Sequence, residues 1–365
     1  MNAASKLTPA AIGKKFPMIA ARYALHGDRP IGAPSGFGAV WKARDLWLER
    51  DVALKFSDRD MADELCLCRD IEGQTVRVFD YFRAADDWNA YAMELLEAPW
   101  MGVGRFIRAH RYRPDDLQHY FDCFEIARSL LSGLAQIHGR PYSRKQKFVH
   151  ADIKPDNLFL MVKPKKRPDT VFRMPPAQRL VKIIDMGIGT AQGNPVLAYT
   201  PGYDSGERVA RPGVDLYATA ITFLELLTGE RPDHHTMRHK ARIRRFVDEM
   251  PSGAARIDAL AVEFASNCAS AYTRPGETVR VHARHLDEQV FGIGEQRLLA
   301  LRAIHRHCPG GGRKDELADL LFGVLARPCG WRNRTTQRID TLKEVVADLY
   351  GAGLLVLRGQ RYFTA

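Results

Sequence analysis

The sequence has no CxxC pair, no apolar run near the roughly 20 residues that a membrane helix needs, and no internal repeat. Its six cysteines, at positions 66, 68, 123, 268, 308 and 329, follow no disulfide-framework spacing. That excludes a disulfide-stapled scaffold and fits scattered thiols in a reducing compartment. The stretch His305-Arg306-His307-Cys308 invites a metal reading. On a helix, however, positions two apart do not face one site, and no second ligand cluster has matching spacing. No metal site is expected there. Lys6, Lys14 and Lys15 are followed by no continuous apolar core, so a signal peptide is not expected. These absences lead to the expectation of a soluble, cytoplasmic protein with no membrane partner.

What is present is ordinary globular composition, with 45% hydrophobic and 27% charged residues. The 365 residues suit two or three domains. Lys and Arg outnumber Asp and Glu by 54 to 43, for a net charge of +11. Such a balance favours anionic partners, whether nucleotides, nucleic acid or acidic surfaces, without choosing among them.

Residues 1–20 read as a leader with little pattern. From Ala21 to Phe56 the text alternates and is broken by glycine, in "RYALHGDRPIGAPSGFGAVWKARD" and "RDVALKF", which predicts antiparallel strands with tight turns. "MADELCLCRDI" has helical spacing, and "TVRVFDYF" and "WNAYAMELL" return to strand. After Pro99 the character becomes helical. "PDDLQHYFDCFEIARSLLSGLAQIHG" is a long amphipathic helix with Asp115 or Asp116 at its start and Gly139 as its stop. "GVDLYATAITFLELLTGERP" is apolar enough for a central buried helix, and further helices fill 240–290. "MVKPKKRPDTVFRMPPAQR" reads as a solvated loop between two short strands. Residues 295–365 carry three helical patterns and then "LLVLRGQRYFTA", two short strands about Arg358-Gly359, after a boundary near Gly292 to Gly294.

One segment does not fit a core. "FVHADIKPDNLFL", residues 148–160, sets His150, Asp152, Lys154 and Asn157 between apolar flanks. Phosphoryl transfer needs a polyphosphate cradle, a balancing cation, metal ligands and a group that orients the attacking hydroxyl. Asp152 can align a hydroxyl or take its proton, Lys154 can neutralise a phosphate, and Asn157 can bind a metal ion. Asp185 ends the apolar run "VKIID". Carboxylate and amide oxygens together suit Mg²⁺. Gly32, Gly36 and Gly38 lie in a turn between strands, where backbone N–H groups can approach phosphate. Lys55 in "VALKF" needs a counter-charge if it points inward, and Glu64 on the next helix is the nearest sensible partner. The alternative for Lys55 is an edge-strand lysine at the surface.

This order of motifs, ending in DMG, TPGY, a following Gly-Glu and the VDLY helix, resembles the eukaryotic-type (Hanks-type) Ser/Thr protein kinases over about residues 21–290. The resemblance implies an α+β, bilobal kinase-like fold, with a small strand-rich lobe over 21–96 and a helical lobe over 97–290. It implies ATP and Mg²⁺ as cofactors and a protein substrate. By that likeness Lys55 holds the α and β phosphates and pairs with Glu64. Asp152 is the catalytic base, Lys154 contacts the γ-phosphate, and Asn157 and Asp185 bind Mg²⁺. Met93 looks like the gatekeeper before a hinge of Glu94, Leu95 and Leu96. Val40, Ala53 and Phe159 would enclose the adenine ring. Glu207 and Arg274 would form a buried structural pair, and Asp215 would brace the catalytic loop.

The sequence departs from the family pattern in places. Ala151 stands where many members have an Arg that pairs with a phosphorylated loop, which implies activity without that phosphorylation. Thr190 and Thr200 are the remaining candidate modification sites. The glycine loop starts with one extra residue, and DMG replaces DFG. None of these removes a chemical group, so a weak pseudokinase acting as a nucleotide-sensing DNA-binding or scaffold regulator is the alternative reading. Residues 295–365 look like a small α/β winged-helix-like domain. Residues 291–365 hold 12 Lys/Arg and 7 Asp/Glu, a net +5. Arg332, Arg334 and Arg338 at a helix entry, and Arg358 and Arg361 on the wing, suit either DNA or a protein partner. Leu301, Ile304, Leu317, Leu321, Val345, Val346, Leu349 and Leu354 are expected in its core.

Overall fold

The computed structural model describes residues 7–35, 38–58, 61, 65, 73–84, 88–109, 117–139, 147–162, 181–186, 189–196, 198–249, 255–274, 278–286, 295–326 and 331–365. The chain divides into two compact units. One comprises Met1–Phe106, Gly133–Arg167 and Pro175–Asp215; the other comprises Ile107–Ser132, Pro168–Met174 and Leu216–Ala365. The boundary expected at 292–294 lies outside the described residues. Among the described residues no helix is long and apolar enough to cross a membrane.

The first unit opens with two short helices, α1 (Pro9–Lys15) and α2 (Pro17–Arg22). Thr8 caps α1 by accepting from the Ala11 N–H at 3.2 Å, and each helix starts on a proline, whose missing N–H costs nothing there. Ile12, Phe16 and Ile19 are buried. The expectation of a patternless leader over 1–20 is thus corrected. Its apolar residues are too few and too closely spaced to register as a period, but they cover a sheet.

That sheet runs β1 (Tyr23–Leu25), β2 (Ile31–Ser35), β3 (Gly38–Asp45), β4 (Arg50–Ser57), β5 (Val78–Arg83) and β6 (Asn89–Glu94). Its order is β1-β3-β4-β6-β5, with β2 also on β3 and every pair antiparallel. Strand β4 is central, and the period of two divides its side chains between two faces. Val52, Leu54 and Phe56 pack with Ile12, Phe16, Ile19 and Trp41 on one face. Ala53 packs with Tyr91, Met93 and Val40 on the other. Lys55 is in phase with Ala53, so the helices α1 and α2 seal the face away from it.

A second, three-stranded sheet, in the order β10-β9-β7, joins β7 (Trp100–Gly102), β9 (Leu158–Met161) and β10 (Val181–Ile183). The two-residue strand β8 (Phe148–Val149) pairs with β11 (Thr190–Ala191). Helix α3 (Val103–Ala109) follows β7, and the long helix α4 is Leu117–Gly139. It ends on the expected glycine; Asp115 and Asp116 lie outside the described residues.

In the second unit, α5 (Pro212–Thr228) carries Leu216 to Thr228, and α6 (His234–Met237), α7 (Lys240–Asp248), α8 (Ala255–Ser270) and α9 (Val279–Leu286) follow. Phe223 joins the core by ring contacts to Phe124 at 5.3 Å and Phe264 at 4.9 Å. The chain then runs through α10 (Glu295–His307), α11 (Lys314–Leu325) and α12 (Thr336–Gly351) into the hairpin β12 (Leu355–Arg358) and β13 (Arg361–Thr364). The eight apolar residues expected inside this segment are all buried. Gly311 has φ +70°, and a Cβ there would meet the Phe363 ring at 2.6 Å, so glycine is required where the α10–α11 turn meets β13.

Candidate active site

Every residue of the site whose side chain is described belongs to the first unit. Lys55 is 4% exposed, which removes the edge-strand alternative, and its Nζ donates to Asp185 Oδ1 at 2.8 Å. Asp185 follows β10 with φ +60°, a left-handed backbone that turns the chain sharply at the carboxylate. Burial opposes the charge on Asp185, but the Lys55 ammonium outweighs it, helped by Lys154. The carboxyl is held below its usual range and is ionised at neutral pH. Glu64, the partner expected for Lys55, lies outside the described residues.

The segment 150–157 is a polar loop tied down at many points. Asp152 Oδ1 accepts from Thr200 Oγ1 at 2.6 Å, while its Oδ2 accepts from Lys154 Nζ at 2.7 Å and Asn157 Nδ2 at 2.8 Å. Lys154 Nζ also donates to Thr200 Oγ1 at 2.7 Å, which closes a ring of charge-assisted bonds. Because the Asn157 amide nitrogen faces Asp152, its oxygen is the atom left for a metal ion. With the ionised Asp185 this makes a hard oxygen pair, the donor chemistry Mg²⁺ prefers when phosphate oxygens and waters complete its shell.

The loop's own backbone is braced from beneath. Asp215, fully buried, accepts from the N–H of His150 at 2.9 Å, the N–H of Ala151 at 2.8 Å and His138 Nε2 at 2.7 Å. Burial again opposes its charge, and the His138 bond leads the groups that overcome it, so its carboxyl stays below the usual range. His150 Nδ1 accepts from the Asp152 N–H at 3.1 Å, so the ring carries its proton on Nε2, which donates to the Ile184 carbonyl at 3.2 Å. Ala151 sits at φ +64°, a conformation that costs a non-glycine residue about 1 kcal/mol. Its methyl packs with Val149, Ala210 and Val196.

An apolar surface lines the same side of the sheet. Val40, Ala53, Met93, Leu95, Leu96 and Ile184 pack in one cluster. The side chain of Glu94 is held by Lys182 Nζ, which also lies over the Trp100 ring at 5.1 Å. Phe159 pairs in register with Lys182. Cross-strand partners share a face, so Phe159 lies on the side from which Lys182 reaches Glu94. Gly38 has φ +142°, and a Cβ there would strike the Phe56 carbonyl at 2.3 Å. Gly32 lies in β2, and Gly36 falls outside the described residues.

Three expectations are corrected. Arg274 is exposed and bonds to the Asn267 carbonyl at 3.4 Å and to Ser270 Oγ, so it is not a buried residue. Glu207 Oε1 accepts from the N–H groups of Arg208 and Val209, each at 3.1 Å, and shapes its own turn. Thr190 is buried in β11 and so is inaccessible to modification, while the Thr200 hydroxyl is engaged by Asp152 and Lys154. Sequence reading missed the roles of Thr200, His138 and Lys182. For Lys182 a signal existed: a lysine alternating with Val181 and Ile183 in a short apolar strand.

The sequence profile of the protein kinase domain matches residues 28–278. The chain is 28% identical over 242 residues to the serine/threonine-protein kinase PrkC of Bacillus subtilis, covering 60% of this chain and 32% of that protein. It is 26% identical over 217 residues to the serine/threonine-protein kinase YabT of the same organism, covering 55% of each. With the serine/threonine-protein kinase PknL of Mycobacterium tuberculosis it shares 27% over 264 residues, 66% of this chain and 59% of that one. The chain thus spans about a third to three fifths of the length of these relatives.

Proposed function

Because the chain belongs to the protein kinase family, we propose that it transfers the γ-phosphoryl group of ATP to a serine or threonine hydroxyl of a protein. The observation that carries this reading is the ring of Asp152, Lys154, Asn157 and Thr200 in the same unit as the Lys55–Asp185 pair.

In this reading Asp152 aligns the substrate hydroxyl and accepts its proton as the new P–O bond forms and the bond to the β-γ bridging oxygen breaks. Lys154 neutralises charge on the group in transfer. Lys55 holds the α and β phosphates, and Asn157 and Asp185 hold Mg²⁺, which supplies further neutralisation when bound. Val40, Ala53, Met93, Leu96 and Phe159 enclose the base, with the backbone of Glu94 and Leu96 as its hydrogen-bonding edge. Catalysis is then positioning plus preorganised charge. The packing of Ala151 among apolar side chains supports activity without loop phosphorylation.

Residues 295–365 we read as a winged-helix-like module that meets protein rather than DNA. In support, Arg334 is paired with Asp319, and Arg361 lies 3.4 Å from Glu316. Carboxylates therefore occupy two of the arginines that a phosphate backbone would need.

The test is labelled ATP with Mg²⁺ and a generic protein substrate, beside Asp152→Asn and Asp185→Ala. Wild-type incorporation that both substitutions abolish is expected. Equal incorporation by all three proteins would remove the assignment, and nucleotide binding without any turnover would favour a sensing role.

A further inference from the structure

Between Arg231 and Arg245 the chain carries six Lys/Arg residues and one acid, Asp233, with His234, His235 and His239 among them. Arg231, Arg238, Lys240, Arg242, Arg244 and Arg245 are all exposed. Asp233 caps the α6 turn by accepting from the Thr236 N–H at 2.5 Å, and among the described residues it forms no ion pair with Arg238, Lys240, Arg242, Arg244 or Arg245. Arg244 has a loose contact with Asp248 at 3.9 Å. Among the described residues no carboxylate pairs with Arg238, Lys240, Arg242 or Arg245. Arg238 is steadied by His234 at 3.0 Å, and Arg242 by the His235 carbonyl at 3.2 Å. These are neutral partners that fix the guanidinium groups and leave their charge uncompensated.

Folding does not account for this composition. Helix α7 begins at Lys240 with no acid in its first turn, so cations crowd the positive end of the helix dipole. Lys240 and Arg244 stand four apart and Arg242 and Arg245 three apart, so like charges face each other along the helix surface. The helix is held by burial of Ile243 and Val247, with Phe246 half-buried beside them, and for that burial the identity of the exposed residues is indifferent. A cluster that works against its own helix points to something outside the chain.

We propose that this cationic arc is a docking surface for a short acidic segment of a partner protein. Its extent favours a polypeptide over a nucleic acid. The helical run from Lys240 to Arg245 covers about 8 Å at 1.5 Å per residue, which matches two or three residues of extended chain. Exposed acids bracket it on both sides, Glu230 and Asp233 before and Asp248 and Glu249 after. A long polyanion would run into those carboxylates, whereas a short acidic stretch fits between them. Arginine dominates the arc, and its forked guanidinium matches carboxylate geometry. The inference does not depend on phosphoryl transfer.

The test uses the full chain and a fluorescein-labelled hexaglutamate peptide, read by fluorescence anisotropy. Binding is expected that weakens severalfold between about 50 and about 200 mM salt. The Arg242→Gln/Arg244→Gln/Arg245→Gln variant should bind at least about tenfold more weakly, with a melting temperature equal to or above wild type. The Asp248→Asn/Glu249→Gln variant should keep peptide binding and gain affinity for a 16-base-pair DNA duplex. Peptide affinity unchanged by the triple substitution would overturn the proposal. So would duplex DNA binding more tightly than the peptide in the wild-type chain and losing that binding in the triple variant, because the surface would then be one for nucleic acid.

Discussion

Replacing Asp215 by Asn should loosen the loop that carries Asp152 without altering its shape. The carboxylate accepts from two backbone N–H groups at 2.8 and 2.9 Å and from His138 at 2.7 Å. An asparagine of the same outline presents one acceptor and one donor. With its oxygen toward His150 and His138, the amide NH₂ opposes the Ala151 N–H. Turned over, it opposes the His150 N–H, while His138 can move its proton to Nδ1, an atom with no hydrogen-bond partner among the described residues. In either pose one buried backbone N–H faces a donor, at a cost of about 1–3 kcal/mol. Loss of the charge adds to that, for a total of about 3 kcal/mol. Relief of the strain at Ala151, held at φ +64° with the help of the Asp215 bond, offsets a small part of that loss. Hydrogen exchange over 147–153 is the local measurement. The His150 and Ala151 amides should exchange roughly a hundredfold faster in Asp215→Asn, the factor corresponding to about 3 kcal/mol, and kcat should fall with them. Because the folded carboxyl lies below its ordinary value, its contribution is complete above the unfolded value of about 3.9. It fades as pH falls through the folded value. The gap between wild type and variant should therefore hold from neutral pH to about 5 and narrow below about 4. Exchange within about threefold of wild type at pH 7, or a gap that widens on acidification, would refute the reasoning.

The other expectations concern neighbouring residues. Thr200→Val removes the hydroxyl between Asp152 and Lys154 and should lower kcat by about tenfold to a hundredfold, with KM for ATP little changed and Thr200→Ser restoring the rate; steady-state kinetics checks this. Lys182→Met leaves the Glu94 carboxylate with the Arg77 N–H, at 3.3 Å, but without its cation, and should raise KM for ATP severalfold while kcat changes less, a split that a purely structural defect would not give. Phe16→Ala empties a buried site against Phe56, whose ring centroid is 5.5 Å away. It should cost about 3–5 kcal/mol in chemical denaturation, and a cost under about 1 kcal/mol would return residues 9–22 to the status of a leader.

How much of this was legible in the sequence depended on how each interaction is spaced. Strand β4 could be read because alternation is local: "DVALKF" announces two faces, and the structure puts Ala53 and Lys55 on one and Val52, Leu54 and Phe56 on the other. Asp152, Asn157 and Asp185 could be singled out because polar groups inside apolar runs are costly to bury without hydrogen-bonding or charged partners. The helices α1 and α2 were missed because each is a single amphipathic turn or two, too short to show a 3.6 period, and their burial exists only against a sheet formed later in the chain.

The same reasoning explains why the buried polar partners stayed hidden while their functional neighbours did not. His138 lies 77 residues from Asp215, Thr200 lies 48 from Asp152, and Lys182 lies 88 from Glu94. Nothing in the local text of "AQIHGR" distinguishes a histidine that ends an amphipathic helix at the surface from one that closes a buried carboxylate. The carboxylate itself decides the matter. Asp215, at the start of an apolar helix, is intolerable without donors, and the fold must deliver them from wherever the chain passes. A buried acid in a sequence is therefore a demand for unnamed partners. Here the demand is met by two amides of the very loop that carries Asp152, so its satisfaction fixes the geometry of the site.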